Sequence, residues 1–372
     1  MRVGSAPRIY LSTGEPSGDL HGEGVVRALQ RELPDAVIEA TGGPRIGGTG
    51  AVIRHSIDDL GALGAAEVIR SVPRHLGVLA DLTRRFQRGR YDLVILLDYP
   101  GFHLRVARAA TRAGVPVLYY IAPQLWAWRA QRAGELRRWV RELAVILPFE
   151  EAFFRNLQIP ATFVGHPLLD QPPLPDRAAA RKALGVGAGP VLAVFPGSRP
   201  SELRRIWPPF REAARIASAW IPELQVVVAG TDSFDYAGGE NFVVRRGSPE
   251  VVLAGADAVL CKSGTATLQA ALAGTPMVIA YRLHALTYLL ARRMVKTAHI
   301  GLVNLIARRE VAPELIQGDA TPEALARAVV PLLDHDGAAS RTQRAALQDV
   351  RESLGTPGAG LRVAELAARM VA

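Results

Sequence analysis

Asp257-Ala-Val-Leu-Cys-Lys-Ser-Gly-Thr-Ala-Thr-Leu-Gln-Ala-Ala-Leu-Ala-Gly-Thr-Pro-Met-Val-Ile-Ala-Tyr281 is the stretch from which the architecture of this chain can be read. Ala258 to Cys261 is a short apolar run of the kind buried in a sheet. Lys262 to Thr265 is a polar turn, an Ala/Leu helix follows, and Gly274 and Pro276 stop it before a second strand, Met277 to Tyr281. Two apolar runs flanking a punctuated helix predict a βαβ unit. The first N–H groups of a helix are unpaired and its dipole is positive there, so the Ser263–Thr265 turn could receive a phosphate. Ser263 and Thr265 could equally well cap the helix with their hydroxyls. The stretch leaves both readings open.

The pattern continues outward. Upstream lie a strand, Val191 to Phe195, the loop Pro196-Gly197-Ser198-Arg199, a long helix and the strand Gln225 to Ala229. Ser248-Pro249-Glu250 reads as a helix start. The first half repeats the alternation. Arg8 to Ser12 is a strand feeding the loop Thr13-Gly-Glu-Pro-Ser-Gly-Asp19. Val37 to Thr41, Tyr91 to Asp98, Val115 to Ile121, Leu143 to Leu147 and Ala161 to Val164 are further strands. Ser71-Val72-Pro73 marks a helix start before Leu76, Leu79, Leu82 and Phe86. Alternating strands and helices predict parallel sheets with ligands at the carboxyl edges of the strands. The first loop lacks Gly-x-Gly-x-x-Gly, which disfavours NAD. Four prolines between Pro167 and Asp176 mark a linker. The expected organisation is an N-terminal domain at 1–166, the linker at 167–176, a C-terminal domain at 177–345 and terminal helices at 346–372, with the ligand between the two domains.

The 372 residues are 49% hydrophobic with a net charge of +9, and the mean hydropathy is +0.13. No uninterrupted apolar run is long enough to span a bilayer, and the start of the chain lacks a signal-peptide pattern. A cytoplasmic or peripheral protein is expected. Only Lys182, Lys262 and Lys296 are lysines; the other basic residues are arginines. The charge suits anionic partners. No nucleic-acid-binding motif accompanies it, so nucleic acid is not expected as a partner. The single cysteine, Cys261, excludes an internal disulfide and a Cys-based zinc site and reads as a core residue.

The helix at Leu76–Phe86 ends in Arg84, Arg85, Arg88 and Arg90. A second apolar–basic helix spans Ala285 to Lys296. Both fit helices packed on a sheet, and both fit helices resting on a membrane. Asp98 ends a buried strand, where it could be a turn residue or a general base.

Six stretches carry a resemblance: Ser12-Thr-Gly-Glu-Pro-Ser-Gly-Asp-Leu-His-Gly22, Tyr119-Tyr-Ile-Ala-Pro-Gln-Leu-Trp-Ala-Trp-Arg129, Val164-Gly-His-Pro-Leu-Leu-Asp170, Phe195-Pro-Gly-Ser-Arg199, Ser263-Gly-Thr-Ala-Thr-Leu268 and Gly301-Leu-Val-Asn-Leu-Ile306. In this order they resemble the lipid-A-disaccharide synthase family across nearly the whole chain. The resemblance implies a GT-B fold of two Rossmann-like domains facing across a cleft. It also implies an inverting glycosyltransferase in lipid A biosynthesis that joins UDP-2,3-diacylglucosamine to 2,3-diacylglucosamine 1-phosphate (lipid X) through a β-1,6 link and releases UDP. A peripheral enzyme on the cytoplasmic face of the inner membrane is implied as well, which favours the membrane reading of the helix at Leu76–Phe86.

Carried onto this chain, the resemblance makes Asp98 the base, with Glu15 beside it in the cleft, and Arg199 the group that stabilises the diphosphate. Gly197, Ser198, Ser263, Gly264, Thr265, Gln269, Tyr281 and Asn304 fall on the donor side. Gly14, Ser17, Asp19, His103 and Trp126 fall on the acceptor side. His166 reads either as a hinge-side structural residue or as a substrate contact. The one Asp-x-Asp match, Asp334-His-Asp336, lies far from any glycine-rich loop, so neither metal nor cofactor is expected. Gly101 and His103 stand where the family commonly has a carboxylate and an amide, and Gln269 where it commonly has glutamate, which weakens the ribose contact. A diverged GT-B transferase or epimerase on a soluble UDP-sugar, and a non-catalytic UDP-sugar-binding or membrane-scaffold protein, are the alternatives.

Overall fold

The computed structural model describes residues 6–60, 65–127, 133–284, 288 and 298–372, with the backbone alone described at 65–71. Within these residues the chain divides into two compact units, 1–171 together with 354–372, and 172–353.

The first unit holds seven parallel strands: β1 (Arg8–Ser12), β2 (Val37–Gly42), β3 (Val52–Ser56), β4 (Leu93–Leu97), β5 (Val117–Tyr120), β6 (Glu142–Val145) and β7 (Ala161–Phe163). Their order is β3-β2-β1-β4-β5-β6-β7. Helices α1 (Pro16–Glu32), α2 (Pro44–Gly47), α3 (Ala65–Gln87), α4 (Pro100–Arg112), α5 (Ala133–Trp139) and α6 (Glu150–Asn156) connect them. The sheet centre is covered on both faces, so the central strands β4 and β5 are buried throughout and not alternately polar. In β4, Val94 and Leu96 join a core with Leu82, Phe86 and Val106. Leu93, Ile95 and Leu97 point the other way, into a core with Val25, Val26 and Leu29 of α1.

The second unit holds β8 (Val191–Phe195), β9 (Gln225–Gly230), β10 (Val243–Arg246), β11 (Ala258–Lys262), β12 (Met277–Tyr281) and β13 (Glu314–Ile316). All are parallel, in the order β10-β9-β8-β11-β12-β13. Its helices are α7 (Arg177–Leu184), α8 (Pro200–Trp220), α9 (Pro249–Gly255), α10 (Thr265–Leu272), α11 (Leu302–Ala307), α12 (Pro322–Val329) and α13 (Ala338–Ser353). One face of the sheet packs Val194, Val226 and Leu260 under Leu203, Trp207 and Phe210 of α8 and Leu325 of α12. The stretch Asp257–Tyr281 forms β11, α10 and β12 in register, with Leu260 paired to Val278.

Two elements differ from the sequence reading. Helix α3 begins at Ala65, with Pro73 inside it; the Ser-Val-Pro signal lies within the helix. Residues 346–372 do not stay together. Helix α13 belongs to the second unit, whereas the last helix, α14 (Ala359–Val371), returns to the first. There Val363, Ala364 and Ala367 fill the core under α1. A Cβ on Gly360 would stand 3.1–3.3 Å from the backbone of Gly24 and Val25, so glycine permits the helices to approach this closely. The carboxylate of Asp170 accepts from the N–H groups of Gly358, Ala359 and Gly360 and caps α14.

Candidate functional site

In each unit the chain leaves the sheet centre first to one side and then to the other. Such a switch point leaves a crevice at the carboxyl ends of the two central strands. In the second unit it lies between β8 and β11. A cavity of about 450 Å³ opens there, lined by Gly197, Ser198, Arg199, Ser263, Gly264, Thr265 and Gln269, seven of the expected donor-side positions. The first turns of three helices also reach it, through Glu202 of α8, Pro249 of α9 and Thr265 of α10. Converging helix N-termini give a positive site able to hold a diphosphate.

Local backbone shapes the cavity. Gly197 has φ +103 and Gly264 φ +146, regions that a side chain disfavours. Neither Ser263 nor Thr265 caps α10, whose N-terminus receives no side-chain hydrogen bond. The Ser263 hydroxyl instead donates to the Ile300 carbonyl at 3.0 Å, so the first N–H groups of the helix stay available to a ligand. Lys262, not foreseen from sequence, pairs with Glu202 at 3.1 Å and lies 5.7 Å from the centre of the Tyr281 ring. Burial raises the Tyr281 hydroxyl pKa, as does Glu202, while Arg199 opposes the rise. No carboxylate lies within ion-pair distance of Arg199 among the described residues. Its charge is open to an anion.

Asn304 is a correction. Its side chain is fully buried and all four of its hydrogen bonds are internal. Nδ2 donates to Ala312 O and Glu314 Oε1, and Oδ1 accepts from the N–H groups of Val311 and Ala312. It ties α11 to the segment before β13 and has no capacity left for a nucleotide. Glu314 in turn accepts from the N–H groups of Ile300 and Gly301, fixing the loop that Ser263 touches.

In the first unit the switch point lies between β1 and β4, where Gly14 packs against Tyr99, the residue after Asp98. Asp98 and Tyr99 both adopt left-handed backbone, φ +49 and +51. A Cβ on Gly14 would stand 2.3 Å from the Tyr99 ring, so only glycine fits against it. The Tyr99 hydroxyl donates to the Leu60 carbonyl and accepts from His75 Nε2. Asp98 is open to water. Crowding by surrounding atoms nevertheless raises its carboxyl above the usual range; the Tyr99 N–H lowers it and the Glu15 carboxylate raises it again. Glu15 and Ser17 are exposed at the start of α1. Trp126 is half-buried, and its indole N–H donates to Glu150 at 3.0 Å. Burial pushes the Glu150 carboxyl up to about 7 against the opposing bonds from Trp126, Leu147 and Ile146.

Two acceptor-side expectations are corrected here. Asp19 is 2% exposed, and its carboxylate is occupied by the N–H groups of Gly43, Arg45 and Ile46; it holds the β2–α2 turn. His103 is fully buried and faces Ser12 and the Asp98 carbonyl, so it cannot touch a substrate. His166 is 5% exposed and accepts the Leu168 N–H on Nδ1, which fits its structural reading. Apart from Tyr288, the helix expected at 285–296 lies outside the described residues, as do Trp128 and Arg129.

The profile of the lipid-A-disaccharide synthetase family matches residues 9–362. The lipid-A-disaccharide synthase of Anaeromyxobacter sp. (strain K) is 43% identical, covering 96% of both chains. That of Trichlorobacter lovleyi is 41% identical, covering 100% of this chain and 99% of its own. Among solved structures, a putative UDP-N-acetylglucosamine 2-epimerase from Listeria monocytogenes aligns with a TM-score of 0.67 at 12% identity, covering 98% and 96% of the two chains. MurG from Acinetobacter baumannii aligns at 0.57 and 17% identity, covering 97% and 99%. These structural likenesses show the GT-B fold: two parallel α/β sheets in two Rossmann-like units.

Proposed function

This chain belongs to the lipid-A-disaccharide synthetase family, and from that premise we propose that it condenses UDP-2,3-diacylglucosamine with lipid X. The observation that carries the reading is a family match running through both units. The 6-hydroxyl of lipid X attacks the anomeric carbon of the donor. The O–C1 bond forms, the bond from C1 to the diphosphate oxygen breaks, and UDP departs with the electron pair. Asp98 takes the hydroxyl proton. Its carboxyl, raised by the crowding around it and by Glu15, is a better base than an ordinary aspartate. Arg199 and the first turn of α10 receive the charge that develops on the diphosphate, and Gln269, one helical turn further on, reaches toward the ribose. Gly14, Glu15, Ser17 and Trp126 form the acceptor side.

Both substrates carry acyl chains, which supports a peripheral position on the membrane. No helix among the described residues is long and apolar enough to cross a bilayer. Helix α3 buries Leu82 and Phe86 but leaves Val72 and Leu76 46% and 54% exposed, an apolar face available to lipid.

The test is disaccharide and UDP formation from the two purified substrates. Asp98→Asn should reduce the rate at least about 10³-fold while UDP affinity, measured by calorimetry, stays within about twofold. Because the carboxylate is the active form, the wild-type rate should fall as acid protonates it, at a pH above the ordinary aspartate range. Loss of turnover and UDP affinity together would count against the assignment of the base.

A further inference from the structure

We propose that His103, assisted by Tyr119, is a positioning residue that clamps the main chain of Asp98 in its left-handed turn and so aims the carboxylate. The inference rests on Asp98 being the base, as read above. A non-glycine residue at φ near +50 costs free energy and persists only when its surroundings over-determine it; here two such residues are consecutive.

The over-determination is visible. The Asp98 N–H donates to the Tyr120 carbonyl at 3.0 Å. The Asp98 carbonyl accepts twice, from His103 Nδ1 at 2.7 Å and from the Tyr119 hydroxyl at 2.6 Å. A carbonyl can only accept, so Nδ1 carries the proton of the imidazole. Nε2 is then the lone-pair nitrogen, and it accepts from the Ser12 hydroxyl at 3.0 Å. Burial draws the imidazole down to about 4, which keeps this neutral tautomer through the physiological range. The groups that hold the Asp98 main chain stand on β5 and α4, and Ser12 of β1 holds His103 in turn. Turning the Asp98 peptide away would strand two buried donors, His103 Nδ1 and the Tyr119 hydroxyl, without an acceptor. The carboxylate is therefore aimed by groups that never meet the substrate.

Side-chain geometry supplies the test. Asparagine puts its amide nitrogen where Nδ1 stands, so His103→Asn keeps the bond to Asp98 and gives up Ser12. Glutamine reaches toward the Nε2 position, so His103→Gln keeps Ser12 and gives up Asp98. Tyr119→Phe deletes one hydroxyl from the clamp. We expect His103→Gln to lower kcat about 10- to 100-fold, the scale of a misplaced catalytic group, with KM for both substrates and UDP affinity within about twofold. His103→Asn should keep about a third of kcat or more, and Tyr119→Phe should fall between. Equal losses in the Asn and Gln variants, or wild-type kcat in the Gln variant, would overturn the clamp, because packing alone or the Ser12 contact would then explain His103. If the Gln variant does not fold, Tyr119→Phe decides, and an unchanged kcat there refutes the proposal. Asp98→Asn in the same assay separates the two levels. If the Asp98→Asn variant is active, the base itself is removed; if it is inactive beside a fully active His103→Gln variant, only the clamp is removed.

Discussion

Asp98 follows β4 and Asp19 lies in the first turn of α1, both at the carboxyl edge of one sheet, and by residue type either could have been read as the base. Their surroundings separate them. Asp19 spends its acceptor capacity on three backbone N–H groups, while Asp98 faces water with its carboxyl pKa raised. Asn304 and Arg199, both expected on the donor side, differ in the same way. The amide is saturated by its own chain; the guanidinium is exposed beside the cavity. We predict that Arg199→Ala weakens UDP binding at least about tenfold, since a charge-assisted bond is worth roughly 1.5–3 kcal/mol. Calorimetric titration checks this, and an unchanged affinity would take Arg199 out of the donor site. Neither contrast was legible in the sequence, because hydrogen-bond saturation depends on partners in other elements that no local pattern of residues names. Asp19 meets Gly43, and Asn304 meets Glu314.

At the scale of elements, the apolar central strands were readable because burial on both faces demands a continuous hydrophobic run. The edge strands β3, β10 and β13 were not. Their residues are half-buried or exposed, so no apolar run marks them. Helix α3 shows a different limit. Its apolar face was legible, but not the division between Leu82 and Phe86 in the core and Val72 and Leu76 outside. Replacing Val72 and Leu76 together by Asp should lower co-sedimentation with lipid vesicles several-fold, each exposed side chain carrying about 1–2 kcal/mol of burial. The melting temperature should stay within a few degrees, since neither side chain is in the core. Undiminished sedimentation would remove this face from the membrane contact.

The first unit is completed by the last helix of the chain. Although α14 is most distant in sequence from α1, it completes the core under α1 and is capped by Asp170 at the end of the first unit. Ending the chain at Leu354 should therefore destabilise the first unit and leave the second nearly untouched. Calorimetry would show the lower of two transitions shifted or lost, and two unchanged transitions would refute this. The sequence by itself determined the alternation of strand and helix, the parallel sheets and the glycine-rich turns, because local hydrophobic periodicity and turn chemistry encode them. It also carried the six stretches that resemble one family. Only the tertiary structure decided which polar residues are open to a ligand and which are consumed inside the fold. It left the turn at Ser263–Thr265 with N–H groups available to a ligand, since Ser263 bonds to Ile300 and does not cap the helix. It likewise made His103 a neighbour of Asp98's backbone and not of a substrate. Such assignments depend on long-range packing, which brings together groups that no local pattern of residues can pair.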